Sequence, residues 1–323
     1  MENNKKEIEN NQHQKLLSIC IPTYNRAKYL DLSLQQFFRE FQSIDKSKVE
    51  LFVSDNASPD ITPEVVEKYI QMGLPIVYNR NEKNLGPDGN FILCFRHAKS
   101  KYVWLLGDDD YLKEGALSLI LDVLERNDVG LLHTCHYKLP KSETVFDNPE
   151  KALVQAGVLI TFMSASIMRS DAVERVEVND ALLKCNLLQV PFYIESALMW
   201  KKVVMIRNTD IFLPQDINAG VYGYNFFKVF IENYLNIWDK FYRERKIQIS
   251  TYKSIKKQLL WNYVLARIVQ IYIYKQYPGL QKEGAFKIIM KYYGKEPFFY
   301  LYLIKIPLIL FRDFVMKVFA KSR

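Results

Sequence analysis

Three consecutive aspartates, Asp108, Asp109 and Asp110, are the part of the sequence best suited to chemistry. They follow Gly107 at the end of the apolar run at residues 102–106, which predicts a buried strand that stops at a cluster of carboxylates. Adjacent negative charges repel one another unless a cation or solvent compensates them. If the segment is extended, Asp108 and Asp110 point the same way and can share one divalent cation, which would keep open positions for phosphates. A solvated acidic turn is the alternative interpretation.

Two further polar segments also follow apolar runs. Residues 22–26, with the sequence Pro-Thr-Tyr-Asn-Arg, come after the run at 16–21. Residues 55–58, with the sequence Asp-Asn-Ala-Ser, come after the run at 49–54. Ligands of open α/β sheets bind beyond the carboxyl ends of the strands. The sequence therefore predicts that the three polar segments lie along one edge of a sheet.

The intervening residues have the patterns that such a sheet needs. Apolar side chains recur at helical spacing over residues 28–41. Thr62 and Pro63 resemble an N-cap and a first helical residue, and predict a helix to about residue 71. Residues 84–90 are a loop by composition and lead into a helix through residue 98. Alternating strands and helices predict a parallel sheet with right-handed crossovers. Further predicted elements are a strand at 75–78, a helix from 113 to about 125, and strands at 129–137, 163–169 and 202–207.

Composition divides the chain into two parts. Nearly half of the 323 residues are hydrophobic, and the net charge is +8. Residues 225–323 carry 19 Lys and Arg against 6 Asp and Glu, whereas residues 1–224 carry 25 against 30. We therefore predict a flexible polar segment at 1–15, a mildly acidic α/β domain at 16–224 and a basic, aromatic-rich helical region at 225–323.

The cysteines and the apolar runs exclude several classes of protein. The four cysteines are scattered without a CxxC pair, which favours reduced thiols in a cytoplasmic protein over disulfides or a zinc site. On a strand His133 and Cys135 share a face while His136 points away, so these three do not predict a metal site. No apolar run is long enough to predict a transmembrane helix, and neither a P-loop nor a GxGxxG motif occurs.

Four short motifs together resemble the family 2 glycosyltransferases of the GT-A fold. They are residues 21–26 (I-P-T-Y-N-R), 53–58 (V-S-D-N-A-S), 84–86 (N-L-G) and 106–110 (L-G-D-D-D), and their order and spacing match the family over residues 16–137. The resemblance implies a Rossmann-like, mostly parallel α/β sheet flanked by helices, followed here by a helical C-terminal region. It implies a nucleotide-sugar half at 16–137 and an acceptor half at 138–224, whose shape no motif fixes.

The resemblance also implies roles for individual residues. Tyr24 would stack on the base, and Asp55 would accept a hydrogen bond from a uracil N–H, since an ionised carboxylate only accepts. The alternatives are a plain proline turn and a carboxylate that caps its own loop through Asn56 and Ser58. Arg80 and Lys83 are either phosphate partners or solvated charges. The full implied nucleotide-sugar set is Pro22, Thr23, Tyr24, Asn25, Arg26, Asp55, Asn84, Gly86, Asp108 and Asp109.

The metal and the catalytic base are implied in the same way. Asp110, together with Asp108, would bind Mn²⁺ or Mg²⁺, which neutralises the diphosphate leaving group. An inverting displacement at the anomeric carbon needs a base for the acceptor hydroxyl. Glu195 is the predicted base, because it is a lone carboxylate in the apolar segment 191–196. An exposed Glu on a helix surface is the alternative interpretation. Weaker candidates for the base are Asp171, Asp180 and Asp216.

The segment at residues 298–311 predicts a membrane contact. It is apolar and aromatic, contains Lys305 and Pro307, and is too short to span a bilayer. An apolar face with basic flanks suits a helix that lies in the membrane interface, where each cation contributes roughly 1 kcal/mol on anionic lipid. A buried helix or an oligomer contact is the alternative. The basic flank consists of Arg312, Lys317, Lys321 and Arg323.

These observations predict an inverting, metal-dependent glycosyltransferase. Its donor would be a nucleotide-sugar, UDP-linked, and its acceptor a hydroxyl of a glycan or lipid-linked oligosaccharide of a bacterial-type surface polysaccharide. The enzyme would lie peripherally on the inner face of the cell membrane. A non-catalytic binding module of the same fold and a nucleotidyltransferase are alternatives, although the latter usually has a glycine-rich basic loop after the first strand. Nucleic-acid binding is disfavoured, because the positive charge lies beside an apolar segment.

Overall fold

In the computed structural model the chain forms two compact units, Met1–Gln215 and Asp216–Arg323. It describes residues 15–136, 139, 141–213, 223–275, 277, 280–308 and 310–312. Of the segment predicted to be flexible at 1–15, only Lys15 is among these residues. The base candidate Asp216 and the basic residues Lys317, Lys321 and Arg323 lie outside the described residues.

An eight-stranded sheet forms the centre of the first unit. Its strands are β1 (Leu17–Thr23), β2 (Val49–Asp55), β3 (Ile76–Arg80), β4 (Tyr102–Leu105), β5 (Leu131–His136), β6 (Glu143–Phe146), β7 (Ser166–Arg169) and β8 (Val203–Arg207). They lie in the order β3-β2-β1-β4-β7-β5-β8-β6. The first four strands pair in parallel, as predicted, and so do β5 and β8. However, β7 lies antiparallel between β4 and β5, and β6 is antiparallel to β8, so the sheet is mixed.

Helices of the first unit flank this sheet and bury their apolar faces against it. They are α1 (Ala27–Glu40), α2 (Thr62–Gln71), α3 (Gly86–His97), α4 (Ala116–Arg126), α5 (Pro149–Ala156) and α6 (Gln189–Trp200). On α1 the predicted apolar positions Leu30, Leu34 and Phe37 are at most 1% exposed. Burying a side chain of this size contributes about 2 kcal/mol, so this face fixes α1, and the loop before it, on the sheet.

Strand β1 extends beyond Pro22, where we predicted that it would stop. The carbonyl of Cys20 faces β4, since it accepts the N–H of Leu106 at 2.9 Å. Two residues later, Pro22 faces the same side, but the pairing of β1 with β4 ends at Cys20. The missing N–H of proline therefore costs no ladder hydrogen bond, and β1 continues to Thr23. This extension carries Thr23 to the end of the sheet.

Other predicted boundaries also differ. Helix α3 begins at Gly86, so residues 87–90 are helical and not a loop, and Pro87 lies in the first turn, where its missing N–H is harmless. Thr62 is the first residue of α2 and not its cap, because Asp60 accepts the N–H and the hydroxyl of Thr62. The strand predicted at 163–169 begins only at Ser166, after a 3₁₀ turn at Met163–Ala165.

The second unit is helical, as the pattern after residue 225 predicts. Its α-helices are α7 (Tyr234–Arg243), α8 (Ile249–Leu259), α9 (Leu265–Ile268), α10 (Ala285–Tyr293) and α11 (Pro297–Tyr302), with π-helical segments at Lys228–Asn233, Leu260–Val264 and Val269–Ile273. Tyr234, Trp238 and Phe241 of α7 recur at helical spacing and are buried. Among the described residues there is no helix with the length and apolarity that a bilayer span requires.

Candidate functional site

The three aspartates form a tight turn directly after β4. Residues 108 and 109 are in a turn, and the N–H of Asp110 donates to the carbonyl of Gly107 at 3.2 Å. The acidic segment is therefore not extended, which was the premise for expecting Asp108 and Asp110 to point the same way. Asp108 and Asp110 are only 4 and 5% exposed, whereas the side chain of Asp109 is 43% exposed. We call residues 107–110 the acidic turn.

Asp108 contacts Thr23, the last residue of β1, and Arg26, which follows that strand. The hydroxyl of Thr23 donates to Oδ2 of Asp108 at 2.7 Å. Nε of Arg26 donates to Oδ1 of Asp108 at 2.8 Å, and Nη2 of Arg26 pairs with Asp109. The structure thus brings together four residues that the sequence placed in one nucleotide site. In this arrangement Arg26 serves as a partner of the carboxylates, while its contact with a nucleotide stays a prediction.

Asp110 is held by Ser164, whose role could not be inferred from the sequence. The Ser164 hydroxyl donates to Oδ2 of Asp110 and accepts the N–H of Gly107 at 2.8 Å. The Ser164 carbonyl accepts Nε1 of Trp104, in β4, at 2.8 Å. Gly107 has no space for a side chain, because a Cβ there would lie 2.6 Å from Oδ2 of Asp110. Ser164 and Gly107 together therefore fix the position of the Asp110 carboxylate.

The charged form of Asp108 is disfavoured by burial, so additional positive charge beside it would be stabilising. Burial raises the pKa of Asp108 to about 6, from an ordinary value of 3.8. The guanidinium of Arg26 and the hydroxyl of Thr23 oppose this effect, since both favour the charged carboxylate. A second cation beside the acidic turn would act in the same direction and lower the pKa further.

The acidic turn has the donor atoms that a hard divalent cation prefers. Within the parts of the chain that the structure describes, no group of three or more His, Cys, Asp or Glu is arranged to hold a metal ion. Mg²⁺, however, is usually bound by only one or two carboxylates, with substrate phosphates and water in its other positions. The buried carboxylates of Asp108 and Asp110 fit that mode of binding. The choice of Mn²⁺ or Mg²⁺ at Asp110 and Asp108 stays a prediction.

Asp55 is the residue predicted to bond the nucleotide base. It lies at the end of strand β2, next to β1, and is fully buried. Its Oδ1 accepts the N–H of Ser58 at 2.8 Å, as the capping interpretation predicts. Its Oδ2 accepts the hydroxyl of Tyr78 at 2.8 Å and lies 3.3 Å from Nε of Arg80. A contact with a base stays a prediction. Arg80 also donates to the Ser58 carbonyl, so it stabilises this loop rather than lying as a free surface charge.

Asn56 joins two of the predicted motifs. Its Nδ2 donates to Oδ1 of Asn84 at 2.9 Å and to the carbonyl of Gly86 at 3.1 Å. Its Oδ1 accepts the N–H of Leu85 at 2.9 Å. The segment 84–86 is therefore fastened to the end of β2 through one side chain. From the sequence Asn56 was expected only to help cap its own loop, because no local pattern shows which distant loop a side-chain amide bonds.

The segment at 22–26 presents its residues differently. Pro22 and Thr23 are buried in β1, and Asn25 has a positive φ of 54° with its N–H bonded to the Ser58 hydroxyl at 2.9 Å. Tyr24 is 43% exposed, so its ring is accessible for stacking. The guanidinium of Arg26 lies over the ring of Tyr29, 4.3 Å from the centroid. This segment thus contributes both an accessible aromatic ring and the Arg26 contact to the site.

Asp88 connects α3 to the start of α6. It is 4% exposed and accepts the N–H of Asn186 at 3.1 Å and that of Leu188. Burial raises its pKa to about 6, and these two hydrogen bonds oppose the shift. A role for Asp88 could not be inferred from the sequence, because the two amides that it binds are about a hundred residues away.

Glu195, the predicted base, lies in α6 and is 8% exposed. The alternative interpretation as an exposed surface residue is therefore wrong. Phe192 of the same helix packs against Phe95 of α3. Its role as the base stays a prediction. Asp171 pairs with Arg169, and Asp180 is exposed.

A comparison with protein families identifies one match. Residues 18–165 match the family model described as Glycosyl transferase family 2. The chain is 38% identical over 112 residues to the abequosyltransferase RfbV of Salmonella typhimurium, covering 34% of this chain and 33% of that protein. It is 32% identical over 121 residues to the GalNAc(5)-diNAcBac-PP-undecaprenol beta-1,3-glucosyltransferase of Campylobacter jejuni, covering 37% and 38%. The alignments span about a third of these relatives.

Solved structures show the same fold. The chain superimposes on Staphylococcus aureus TarS 1-349 in complex with UDP-GlcNAc with a TM-score of 0.61 and 16% identity, covering 86% of this chain and 80% of that one. It superimposes on the mannosyltransferase PcManGT of Pyrobaculum calidifontis, in complex with GDP-Man and Mn²⁺, with a TM-score of 0.54 and 14% identity, covering 91% and 86%. The predicted GT-A fold is confirmed.

Proposed function

We propose that this chain, which carries a glycosyl transferase family 2 domain at residues 18–165, transfers a sugar from a nucleotide-sugar to a hydroxyl of a bacterial surface glycan. The observation that carries the proposal is that polar residues lie at the adjacent carboxyl ends of β1, β2 and β4. Thr23 contacts Asp108, and Asp55 ends the strand between β1 and β3. The carboxyl edge of an open parallel sheet is where such folds bind nucleotides.

The donor in this proposal is UDP-linked. Tyr24 offers an accessible ring for the nucleotide base, and Asp55, buried at the end of the adjacent strand β2, would accept a uracil N–H in addition to its bonds with Ser58 and Tyr78. A TarS structure contains UDP and another contains UDP-GlcNAc, and these ligands support UDP as the first nucleotide to test. The names of the curated relatives, an abequosyltransferase and an undecaprenol-linked glucosyltransferase, support a surface glycan or its lipid-linked precursor as the acceptor.

Residues of the acidic turn and α6 have separate roles in this reaction. Asp110, which bonds Ser164, and Asp108, which bonds Thr23, would hold the divalent cation. When bound, Mn²⁺ or Mg²⁺ neutralises the diphosphate leaving group. Glu195 takes the proton of the acceptor hydroxyl as the attack inverts the anomeric carbon. Burial of these carboxylates excludes water, which strengthens each of their charge interactions.

The test is a thermal-shift screen of UDP, GDP and their sugars, each with and without Mn²⁺, followed by a transfer assay. We expect stabilisation by UDP or a UDP-sugar that depends on Mn²⁺ and is lost in Asp110→Asn. Asp122→Asn is the matched control, because it removes an exposed carboxylate of α4. Stabilisation that persists without Mn²⁺ or in Asp110→Asn contradicts the metal assignment. Binding without any transfer or donor hydrolysis indicates the non-catalytic module instead.

We also propose that the second unit contacts an anionic membrane. Tyr300, Leu301, Ile304, Leu308 and Phe311 are between 53 and 68% exposed. Their spacing places them on one side of α11 and of the helical residues that follow it. Such an exposed apolar stripe on a chain segment with 19 basic residues suits the interface of an anionic bilayer, on the inner face of the cell membrane.

Vesicle sedimentation tests this contact. We expect binding to vesicles that contain phosphatidylglycerol, weaker binding at high salt, and loss of binding in Leu301→Glu/Ile304→Glu. Ile61→Glu, at a 63% exposed position of the first unit, is the control. Failure to bind vesicles, with a concentration-dependent increase in mass that the double variant abolishes, would assign the stripe to an oligomer contact.

A further inference from the structure

Arg26 occupies the carboxylate oxygens that a cation at the acidic turn would need. Its Nε lies 2.8 Å from Oδ1 of Asp108, and its Nη2 pairs with Oδ2 of Asp109. The second oxygen of Asp108 already accepts the hydroxyl of Thr23. Both oxygens of the buried carboxylate Asp108 are therefore engaged by groups of the protein itself.

Arg26 is the more exposed partner of this pair. The side chain of Asp108 is 6% exposed, whereas that of Arg26 is 38% exposed. The ring of Tyr29 supports the guanidinium, at 4.3 Å from its centroid. A planar guanidinium can bond two carboxylates and stack on a ring at once, which a lysine ammonium cannot do equally well. The side chain is thus held in place by three separate contacts.

We propose that Arg26 is the counter-ion of the acidic turn when no donor is bound, and that it must leave Asp108 and Asp109 before a divalent cation binds there. This inference rests on the proposed function, since it concerns the same cation and the same donor. A guanidinium and a divalent cation bound to the same carboxylate would lie close enough to repel each other strongly. Sharing Asp108 would therefore cost considerable free energy. The donor's diphosphate supplies the negative charge that compensates both cations. The cation and the nucleotide therefore bind cooperatively, each raising the affinity for the other.

This arrangement predicts how the protein binds Mn²⁺ in the absence of nucleotide. The wild-type protein binds Mn²⁺ weakly, because the ion competes with Arg26. Arg26→Gln removes the competing charge and keeps a polar side chain, so its affinity for Mn²⁺ rises by roughly tenfold, allowing for the partial exposure of the pair. Arg26→Lys keeps the charge but loses the bidentate geometry, so its affinity for Mn²⁺ lies between those of wild type and Arg26→Gln. In the presence of UDP the affinity gap between wild type and Arg26→Gln shrinks or reverses.

Electron paramagnetic resonance of free Mn²⁺ measures these affinities directly, without any turnover. Wild type, Arg26→Gln, Arg26→Lys and Lys28→Gln are titrated with Mn²⁺, with and without UDP. Lys28→Gln is the matched control, because it removes the same charge from an exposed side chain two residues along α1. We expect tighter nucleotide-free binding in Arg26→Gln but not in Lys28→Gln. Should Arg26→Gln fail to fold, Arg26→Lys still tests the inference through its intermediate affinity.

Two results separate this inference from the proposed function. If UDP promotes Mn²⁺ binding to the wild type and Asp110→Asn abolishes it, but nucleotide-free affinity is the same in wild type, Arg26→Gln and Arg26→Lys, the counter-ion role is overturned and the metal site stands. If none of the proteins binds Mn²⁺ even with UDP, the metal assignment and the counter-ion role are both overturned.

Discussion

Asp88→Asn tests whether a buried carboxylate at the start of α3 destabilises the protein at neutral pH. Asp88 is 4% exposed and accepts the N–H groups of Asn186 and Leu188 at the start of α6. Burial raises its pKa to about 6, so the charged form is disfavoured in the folded state in spite of these hydrogen bonds. Asparagine keeps one acceptor oxygen and carries no charge at any pH.

The expected magnitude follows from the linkage between pKa and stability. The folded protein holds the Asp88 proton up to about pH 6, whereas the unfolded chain releases it near its ordinary value of 3.8. The group therefore contributes stability that is fully present below pH 3.8 and is lost as the pH rises through 6. Two units of pKa correspond to about 3 kcal/mol over the whole range, of which on the order of 1 kcal/mol falls between pH 5 and pH 8.

Urea unfolding at pH 5, 6, 7 and 8 measures this difference. We expect the unfolding free energy of Asp88→Asn, relative to wild type, to increase by about 1 kcal/mol from pH 5 to pH 8. Circular dichroism and tryptophan fluorescence must give coincident curves for this comparison to hold. Asp122→Asn, at an exposed carboxylate, should follow the wild type at every pH. Parallel wild-type and Asp88→Asn profiles would refute the assignment of a raised pKa to Asp88.

Three further substitutions test the site. Glu195→Gln should leave Mn²⁺-dependent UDP binding intact and reduce transfer at least ~100-fold, and unchanged turnover would place the base elsewhere. Ser164→Ala removes the donor to Asp110 and should lower the unfolding free energy by about 1–3 kcal/mol and weaken Mn²⁺–UDP binding in calorimetry; unaltered affinity would show that Ser164 does not position Asp110. Asn56→Ala should cost about 2–4 kcal/mol in urea unfolding and weaken UDP binding, because it separates the loops after β2 and β3; wild-type values in both assays would contradict its linking role.

The elements that the sequence predicted correctly are those that local pattern determines. The apolar runs that became β1, β2 and β4 are long, β-branched or aromatic, and end at polar residues, so their burial and order could be inferred. The position of β7 between β4 and β5 could not, since an antiparallel insertion depends on contacts more than sixty residues apart along the chain. The passage of β1 through Pro22 depended in the same way on where its neighbour β4 ends.

The residues of the site could be predicted from the sequence, but the contacts between their side chains could not. Asp55, Asp108 and Asp110 were identified from residue type and position after strands, and all three lie at strand ends as expected. The pairing of Arg26 with Asp108 and Asp109 was not predicted, because charge alone does not show which partner a guanidinium selects. Ser164 was missed for a similar reason, as a serine in a small-residue segment has no local signal of its distant partner.

The crowding at Gly107 has a consequence for sequence variation. Even the single methyl group of alanine would sit 2.6 Å from a carboxylate oxygen of Asp110 and 3.3 Å from one of Asp109. Overpacking of this kind typically costs 1–3 kcal/mol, and here it would also displace a side chain proposed to bind the ion. After saturation mutagenesis and selection for activity, position 107 should therefore accept only glycine. The exposed Glu114 should accept many residue types.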